Sequence, residues 1–237
     1  MPLSPDHIFL AKCLSKYLEL VERHTFVQEN ALTLYRGQSD ARWHLEPSIS
    51  RIANNTNLRK YEAKIFNEFK RIGRALVPID VANSEWDLLA FAQHHGLRTR
   101  LLDWTTNPLV ALWFAFEKEQ DVKERSVWFF FVEDSDITDK DGSPFDQART
   151  IAFRPDHVTQ RITAQNGWFT THKFTESKGR ASKLDFIRRY RKRIYRIDIP
   201  NETRDDILDG LDRFGVNHAS VYPDLHGLTN YLNWRTK

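Results

Sequence analysis

Two near-continuous apolar runs in the middle of the chain constrain the fold more than any other feature of the sequence. The first, residues 109–116, follows Asn107-Pro108, a pair typical of a helix start because asparagine caps the end and proline fits the first helical position. A helix that is apolar all round must be buried. The second run, residues 127–132, lacks polar alternation and predicts a strand covered on both faces. The chain therefore has to build a sheet with helices packed against it.

Further helix signals flank these two runs. Ser4-Pro5 predicts a cap and a helix start, and the apolar spacing continues through Leu10 to Val21. A long amphipathic helix is expected from about residue 58 to residue 76. Ser84 predicts the cap of another helix, which Gly96 ends. A later helix is expected at about 201–214, and short ones near 155–163 and at the end of the chain.

Strands are expected at residues 32–35, with Gly37 as the stop, and also at 168–174, 194–199 and 219–222. Strands that are mostly segregated from helices, without regular alternation, indicate an α+β fold. We predict a single domain at residues 31–237 with a mixed, mainly antiparallel sheet. A helical elaboration is expected at residues 1–30.

Composition excludes several classes of protein. The chain has 237 residues, of which 41% are hydrophobic, so it can bury a sizeable core. Its 16 Phe, 7 Trp and 7 Tyr predict an aromatic-rich core, with a few rings that could line a pocket for a planar ligand. The start does not read as a signal peptide, and no apolar run is long enough to cross a bilayer. The single cysteine, Cys13, is expected to be buried in the N-terminal helix. These features predict a cytoplasmic protein.

Charge is unevenly distributed, although the net charge is only +3. Basic residues crowd together from Lys178 to Arg196, with Asp185 as the sole acid among them. The block that follows, residues 202–212, is acidic. The two blocks could neutralise each other across adjacent elements. Otherwise the basic stretch, which also carries Phe186 and Tyr190, is a candidate track for the phosphate backbone of a nucleic acid.

Four polar segments in apolar surroundings are the candidates for chemistry. Arg36 ends an apolar strand beside Gly37, which suits bidentate recognition of a phosphate or a carboxylate, or else a structural salt bridge. The other segments run from Gln93 to Pro108, from Arg161 to Phe169 and from Val221 to Leu228.

Structural roles also account for several of these residues. Arg100 and Asp103 could pair with each other and lock their loop. Thr105 could help to cap the next helix. Asp224 could cap the last helix, where a carboxylate is favoured by the helix dipole.

Taken in order, the four segments resemble the FRG-domain family. The family's name-giving motif corresponds to Leu34-Tyr35-Arg36-Gly37, and its most specific stretch runs from Gln93-His94-His95-Gly96 to Asn107-Pro108. The Arg161 to Phe169 segment and Tyr222-Pro223-Asp224-Leu225 are also similar. The resemblance spans about Leu32 to Leu232.

A weaker resemblance connects the same order of segments to ADP-ribosyltransferases that have an arginine strand, a Ser/Thr strand and a late acidic residue. It implies an ADP-ribosyltransferase-like sheet, NAD as substrate and no metal. The resemblance makes Arg36, Thr105 and Asp224 catalytic; no Glu-x-Glu pair occurs late in this chain, and Asp224 is the nearest substitute. The residues implied in NAD binding are Tyr35, Arg36, Gly37, Arg100, Trp104 and Thr105.

The chemistry of ADP-ribosyl transfer fits these residue types. Cleavage of the nicotinamide–ribose bond develops positive charge on the ribose, which a fixed carboxylate such as Asp224 or Asp103 could stabilise. Arg36, with Arg100 as a second candidate, would hold the pyrophosphate, and Trp104 or Tyr35 would stack on a ring. The basic stretch would present an acceptor. The FRG resemblance further suggests a toxin or phage-defence effector, with an antitoxin as its partner.

Two other functions remain open. A non-catalytic module could use the same arginine-rich cleft to bind a nucleotide or a nucleic acid without consuming it. A nuclease-like toxin could use His94 or His95 as acid and base, because the pKa of histidine permits both roles near neutral pH. Adjacent histidines on a helix point in different directions, so a metal pair is not expected. His172 and His226 are the other histidines considered for a nuclease.

Overall fold

One mixed sheet organises the described part of the chain, which comprises residues 3–25, 32–52, 57–156, 160–175 and 179–236 of a computed structural model. Seven strands lie there in the order β1-β7-β4-β2-β3-β6-β5. The β1–β7 pair is parallel and the other neighbours are antiparallel, so the predicted α+β class with a mainly antiparallel sheet is confirmed. The strands are β1 (Ile8–Leu10), β2 (Leu32–Gln38), β3 (Leu101–Thr105), β4 (Glu124–Val132), β5 (Ile151–Phe153), β6 (Gly167–Thr171) and β7 (Ile194–Pro200).

Helices cover both faces of this sheet. One face packs against α5 together with α1 and α8, while the opposite face carries a separate core around Trp104, Trp128 and Phe130. In the described residues no helix has the length and apolar character that a membrane crossing requires. The helices are α1 (Leu14–Thr25), α2 (Leu58–Ile72), α3 (Ile79–Ala82), α4 (Glu85–His94), α5 (Pro108–Phe116), α6 (Gln160–Ala164), α7 (Arg188–Arg191), α8 (Arg204–Arg213), α9 (His218–Val221) and α10 (Leu225–Arg235).

The two apolar runs form the centre of the molecule, as predicted. α5 is capped by the Asn107 side chain, which accepts hydrogen bonds from the amides of Leu109 and Val110. β4 lies third in the sheet and is buried from Arg125 to Val132. The predicted Ser84 cap of α4 is also present, with the hydroxyl accepting from the Asp87 amide at 3.2 Å.

Four local predictions are wrong, and the fourth concerns Gly37. Residues 8–10 form a strand instead of the first turns of a helix, because they pair with Arg196 to Asp198 of β7. Cys13 precedes α1 and is exposed instead of buried. Residues 219–222 are not a strand, because Asn217 caps a short helix there by accepting from the amides of Ala219 and Ser220.

Gly37 does not stop β2, which continues to Gln38. A Cβ atom at Gly37 would lie 1.9 Å from the carbonyl oxygen of Ala111 and 2.6 Å from the amide nitrogen of Ala115. Glycine is therefore required here because α5 rests directly on β2. This contact positions α5 so that its side chains line the cleft described next.

Candidate functional site

A cleft opens where β2 and β3 separate. The two strands pair only at Tyr35 and Thr105, whereas β2 pairs with β4 along its whole length. The cleft has a volume of about 630 Å³, within the range of small-molecule sites. Its walls include the end of β2, the start of β3, the C-terminal part of α5 and Tyr222.

Positive charge is concentrated in this cleft. Arg36, Arg51, Arg98 and Arg161 all line it. Arg98 is exposed and forms no ion pair with a described residue, and Arg51 donates to the carbonyl oxygen of Glu46 at 3.0 Å. Such a group of guanidinium donors suits an anionic ligand with several oxygens, as a pyrophosphate has.

Arg36 lies where the strands part. Its Nη1 donates to the Asp103 carbonyl oxygen at 2.8 Å and contacts the Asp103 carboxylate at 3.3 Å. Gln93 Nε2 donates to the other carboxylate oxygen at 2.8 Å. The Nε of Arg36 is buried and has no hydrogen-bond partner among the described residues. Because buried donors are normally satisfied, the unpartnered Nε shows that the fold uses the donors of Arg36 incompletely.

A carboxylate and a phenol are joined at the other end of the cleft. Tyr222 donates its hydroxyl hydrogen to Glu117 Oε1 at 2.9 Å. Burial raises the pKa of Tyr222, and the neighbouring Glu117 carboxylate raises it further. The rings of Phe114 and Trp168 line the same cleft. Glu117 follows the C-terminus of α5, where the helix dipole disfavours negative charge, so the Tyr222 bond helps to hold the carboxylate there.

Asp224 is engaged through both of its oxygens. Oδ1 accepts from the Gly227 amide at 2.9 Å, which makes Asp224 the N-cap of α10. Oδ2 accepts from Arg161 Nε at 2.6 Å. The Gly227 bond, followed by Arg161, lowers the pKa of Asp224. The capping interpretation is therefore confirmed, and Asp224 does not line the cleft.

Arg100 also lies away from the cleft. Its Nε donates to Glu62 Oε2 at 2.8 Å, its amide donates to Oε1 at 2.7 Å, and both side chains are buried. Nη1 donates to the carbonyl oxygen of Phe145 at 3.0 Å. The expected pairing with Asp103 is wrong, and a role for Arg100 with pyrophosphate is not supported, because these donors are already used inside the protein.

The predicted stacking residues are buried. The Trp104 ring is 3% exposed and donates from Nε1 to Thr170 at 3.0 Å. Tyr35 packs edge-on against Phe129. Neither ring is available to stack on a ligand in this conformation. Thr105 donates to the carbonyl oxygen of Gln165 at 2.6 Å and accepts from the Asn107 amide at 3.0 Å, so its hydroxyl hydrogen is committed to this loop.

The histidines are dispersed. His94 is half-buried and lines the cleft, while His95 is exposed and their rings are nearly perpendicular. Burial lowers the pKa of His94, and the neighbouring His95 adds to the effect. His172 is completely buried, and His226 is exposed on α10. Within the described ranges, no three His, Cys, Asp or Glu side chains are grouped as metal ligands would be; that no metal is needed stays a prediction.

Half of the described cations of the basic stretch are paired with carboxylates, and none of these carboxylates belongs to the acidic block that follows it. Arg189 and Arg193 both pair with Asp136, and Arg196 pairs with Asp198. Lys178 lies outside the described residues. Among the cations of the described part of the stretch, Arg180, Arg188, Arg191 and Lys192 have no carboxylate within ion-pair distance, and Arg180 donates to the Ser50 carbonyl oxygen instead.

Sequence reasoning missed Glu117 and Tyr222. Their contact joins residues 105 positions apart, and no local pattern marks either as a partner of the other. The tyrosine beside Pro223 belonged to a recognised segment, whereas Glu117 was hidden at the end of the apolar run of α5.

A protein-family model described as FRG domain matches residues 31–124. This match includes the Arg36 motif and the segment from Gln93 to Pro108, and it ends at the first residue of β4. The similarity seen beyond residue 124 lies outside the match and stays a prediction. No curated protein and no solved structure matches the chain.

Proposed function

We propose that this chain, which carries an FRG domain over residues 31–124, transfers ADP-ribose from NAD to a macromolecule, either a protein or a nucleic acid. The observation that carries the proposal is the cleft, which combines a group of arginines with a fixed carboxylate beside aromatic rings. NAD offers the complementary pattern, because its anionic pyrophosphate is joined through ribose to the planar nicotinamide.

The arginines take the pyrophosphate. Arg36 contributes its unpartnered Nε, and Arg51 and Arg98 add charge on the same cleft. Asp103 and Gln93 hold the Arg36 side chain in the opening between the strands. A guanidinium held in this way binds without losing much side-chain freedom, which favours affinity.

Glu117 is the carboxylate best placed for the bond-breaking step. The bond between ribose C1′ and the nicotinamide nitrogen breaks, its electron pair leaves with neutral nicotinamide, and positive charge develops on the ribose. The acceptor then forms a bond to C1′ through a nitrogen or oxygen and releases a proton. Glu117 lines the cleft and is bonded to Tyr222, which fixes its orientation; from there it would stabilise this charge. Asp224 is set aside because both of its oxygens are engaged.

A toxin or phage-defence role extends the proposal, since modification of a cellular macromolecule would arrest growth. An antitoxin that covers the cleft would be its partner. Expression in cells should then slow growth, and Arg36→Ala should relieve the effect.

The test is incubation of purified protein with labelled NAD and a mixture of cellular protein, RNA and DNA. Arg36→Ala and Glu117→Gln are each expected to lower label transfer about 100-fold or more, because each removes a group that acts on developing or bound charge. Arg74→Ala and Glu119→Gln are matched controls, since both residues are exposed and line no part of the cleft. Asp103→Asn tests the second carboxylate of the cleft.

Two outcomes would contradict the proposal. NAD that binds at the cleft but is never consumed, with every acceptor present, would favour the non-catalytic binding module. Degradation of RNA or DNA without NAD, lost in His94→Ala, would favour the nuclease. A larger loss of transfer in Asp103→Asn than in Glu117→Gln would reassign the catalytic carboxylate to Asp103.

A further inference from the structure

A surface that joins exposed aromatic rings to cations leads outward from the cleft. The aromatic members are Trp43 and Phe186, which are 40% and 42% exposed. Both rings lie within cation–π distance of a basic side chain, Arg51 for Trp43 and Lys183 for Phe186. We call this surface the stacking track; its residues are Trp43, Arg51, Lys183, Phe186, Arg188 and Lys192.

The track begins at the cleft itself. Trp43 and Arg51 both line the cleft, and the Arg51 guanidinium lies 5.6 Å from the centroid of the Trp43 ring. This cation–π contact places the guanidinium over one face of the Trp43 ring, so a stacking base would use the exposed remainder of the ring. A planar base that stacks on Trp43 would therefore have its phosphate next to Arg51.

Contacts between two distant segments continue the track to Phe186. The chain next to Trp43 carries His44, whose ring lies 5.0 Å from that of Phe186 and whose Nδ1 is 2.7 Å from the buried carboxylate of Asp185. The Leu184 amide donates to the Leu45 carbonyl oxygen at 2.9 Å. These bonds fix the Phe186 segment beside the segment that carries Trp43.

The charge of the track increases away from the cleft. Lys183 Nζ lies 5.8 Å from the centroid of the Phe186 ring, and its nearest carboxylate is Glu46 at 3.8 Å. Arg188 and Lys192 follow in and after α7, are exposed, and have no ion-pair partner among the described residues. Arg189, Arg193 and Arg196 of the basic stretch face carboxylates, whereas Arg188 and Lys192 do not.

We propose that the stacking track binds single-stranded nucleic acid and delivers it to the mouth of the cleft. Exposed rings that accept bases by stacking, interleaved with cations that follow the backbone, are what single strands require. A duplex keeps its bases stacked on one another and could not use Trp43 or Phe186 in this way. The proposal names the acceptor class of the proposed transferase, and in that respect it rests on the proposed function. The binding itself does not depend on any reaction with NAD.

The first experiment measures binding without NAD. Fluorescence anisotropy with labelled single-stranded DNA, single-stranded RNA and a DNA duplex of the same length is expected to show at least tenfold tighter binding of the single strands. The DNA and RNA arms decide which of the two is preferred. Phe186→Ala is expected to weaken single-strand binding about tenfold, because one stacked base is lost, and Phe186→Tyr should keep it.

Matched controls separate the track from general effects. Phe214 is 62% exposed and follows α8, which packs on the opposite face of the sheet, so Phe214→Ala should leave binding unchanged. Arg188→Ala should lower the slope of log affinity against log salt concentration by about one, and Arg74→Ala should not change it. Equal affinity for the duplex, or wild-type binding by Phe186→Ala, would overturn the proposal.

A second readout distinguishes failure of this proposal from failure of the proposed function. Hydrolysis of NAD by water should be unchanged in Phe186→Ala, because this ring does not line the cleft, while transfer to a single strand should fall with the binding. Single-strand binding without any use of NAD would keep the track and remove the transferase. Transfer of label to protein alone, with no single-strand binding, would remove the track and keep the transferase.

Discussion

The interior around Arg100 and the cleft around Arg36 are built from the same residue types and have opposite properties. Arg100 and Glu62 are both buried, and each polar group of the pair faces a partner. The Arg36–Asp103 pair is open, with the Asp103 side chain 57% exposed and the Arg36 Nε unpartnered. The difference shows that an arginine in a motif can bind a ligand only where the fold leaves some of its hydrogen-bond donors without a partner.

The largest expected effect comes from breaking the interior pair. Glu62→Ala leaves the Arg100 guanidinium buried without its partner and should lower the free energy of unfolding by about 3–5 kcal/mol. Asp103→Ala removes the exposed counterpart and should cost at most about 1 kcal/mol. Urea denaturation of both variants measures the difference. Equal losses would mean that the two pairs are not distinct in the way their burial indicates.

The next effect concerns His172, which adjoins Arg100 through its backbone amide. Burial lowers the pKa of His172 to about 4 from 6.5, although the hydrogen bond between its Nδ1 and the Ser182 carbonyl oxygen acts in the opposite direction. Its Nε2 faces the Thr170 hydroxyl. Above pH 6.5, the pKa of His172 in the unfolded chain, the side chain is neutral in both the folded and the unfolded protein. As the pH falls from 6.5 to about 4, only the unfolded chain takes up the proton, so stability is lost, by about 3 kcal/mol in all.

Urea denaturation as a function of pH tests this loss, because His172→Gln should flatten the dependence between about pH 6.5 and pH 4. His94→Gln is the matched cleft variant. The pKa of His94 is also lowered, but this side chain is only half-buried. His94 should therefore contribute less than His172 to the pH dependence of stability. A steeper effect from His94 than from His172 would contradict the comparison.

The smallest expected effect concerns Asp224, a residue near the cleft whose hydrogen bonds resemble those of the interior pair. Asp224 pairs with Arg161, which lines the cleft, but both of its carboxylate oxygens already accept hydrogen bonds within the protein, as those of Glu62 do. Asp224→Ala removes the cap of α10 and should cost about 1 kcal/mol, whereas Asp224→Asn keeps the cap and should cost little. Neither variant should lower NAD consumption by more than a few-fold, in contrast to Arg36→Ala. Parallel thermal melts and turnover assays check this; a loss in Asp224→Asn as large as that in Arg36→Ala would restore Asp224 as a catalytic residue.

Local patterns predicted the centre of the fold because they act over a few residues. The Asn107 cap, the apolar run of α5 and the continuous apolar β4 are each decided within one segment. β1 failed because three residues become a strand only through their distant partner β7. α9 failed because the capping of Asn217 outweighed the strand preference of Val221 and Tyr222.

The candidate site was predictable in its location and less so in its residues. The motifs around Arg36 and Asp103 do meet at one cleft. The side to which each residue of β3 points could not be read without knowing where β3 lies in the sheet. The Trp104 ring was therefore expected to stack on a ligand; the residue borders the cleft, but its ring is buried in the core. The Glu117–Tyr222 contact depends on the packing of α5 against the last part of the chain, so no local sequence pattern predicts it.

The arrangement of strands determines which part of the chain could fold by itself. The recognisable stretch, residues 31–124, contains β2 and β3, which share one paired position, and it ends where β4 begins. β4 covers the long edge of β2, and β6 covers β3. Excised from the chain, this stretch would expose both edges of a two-stranded ribbon and half of its apolar helix α5. The portion that the family model matches is therefore smaller than the sheet to which its two strands belong.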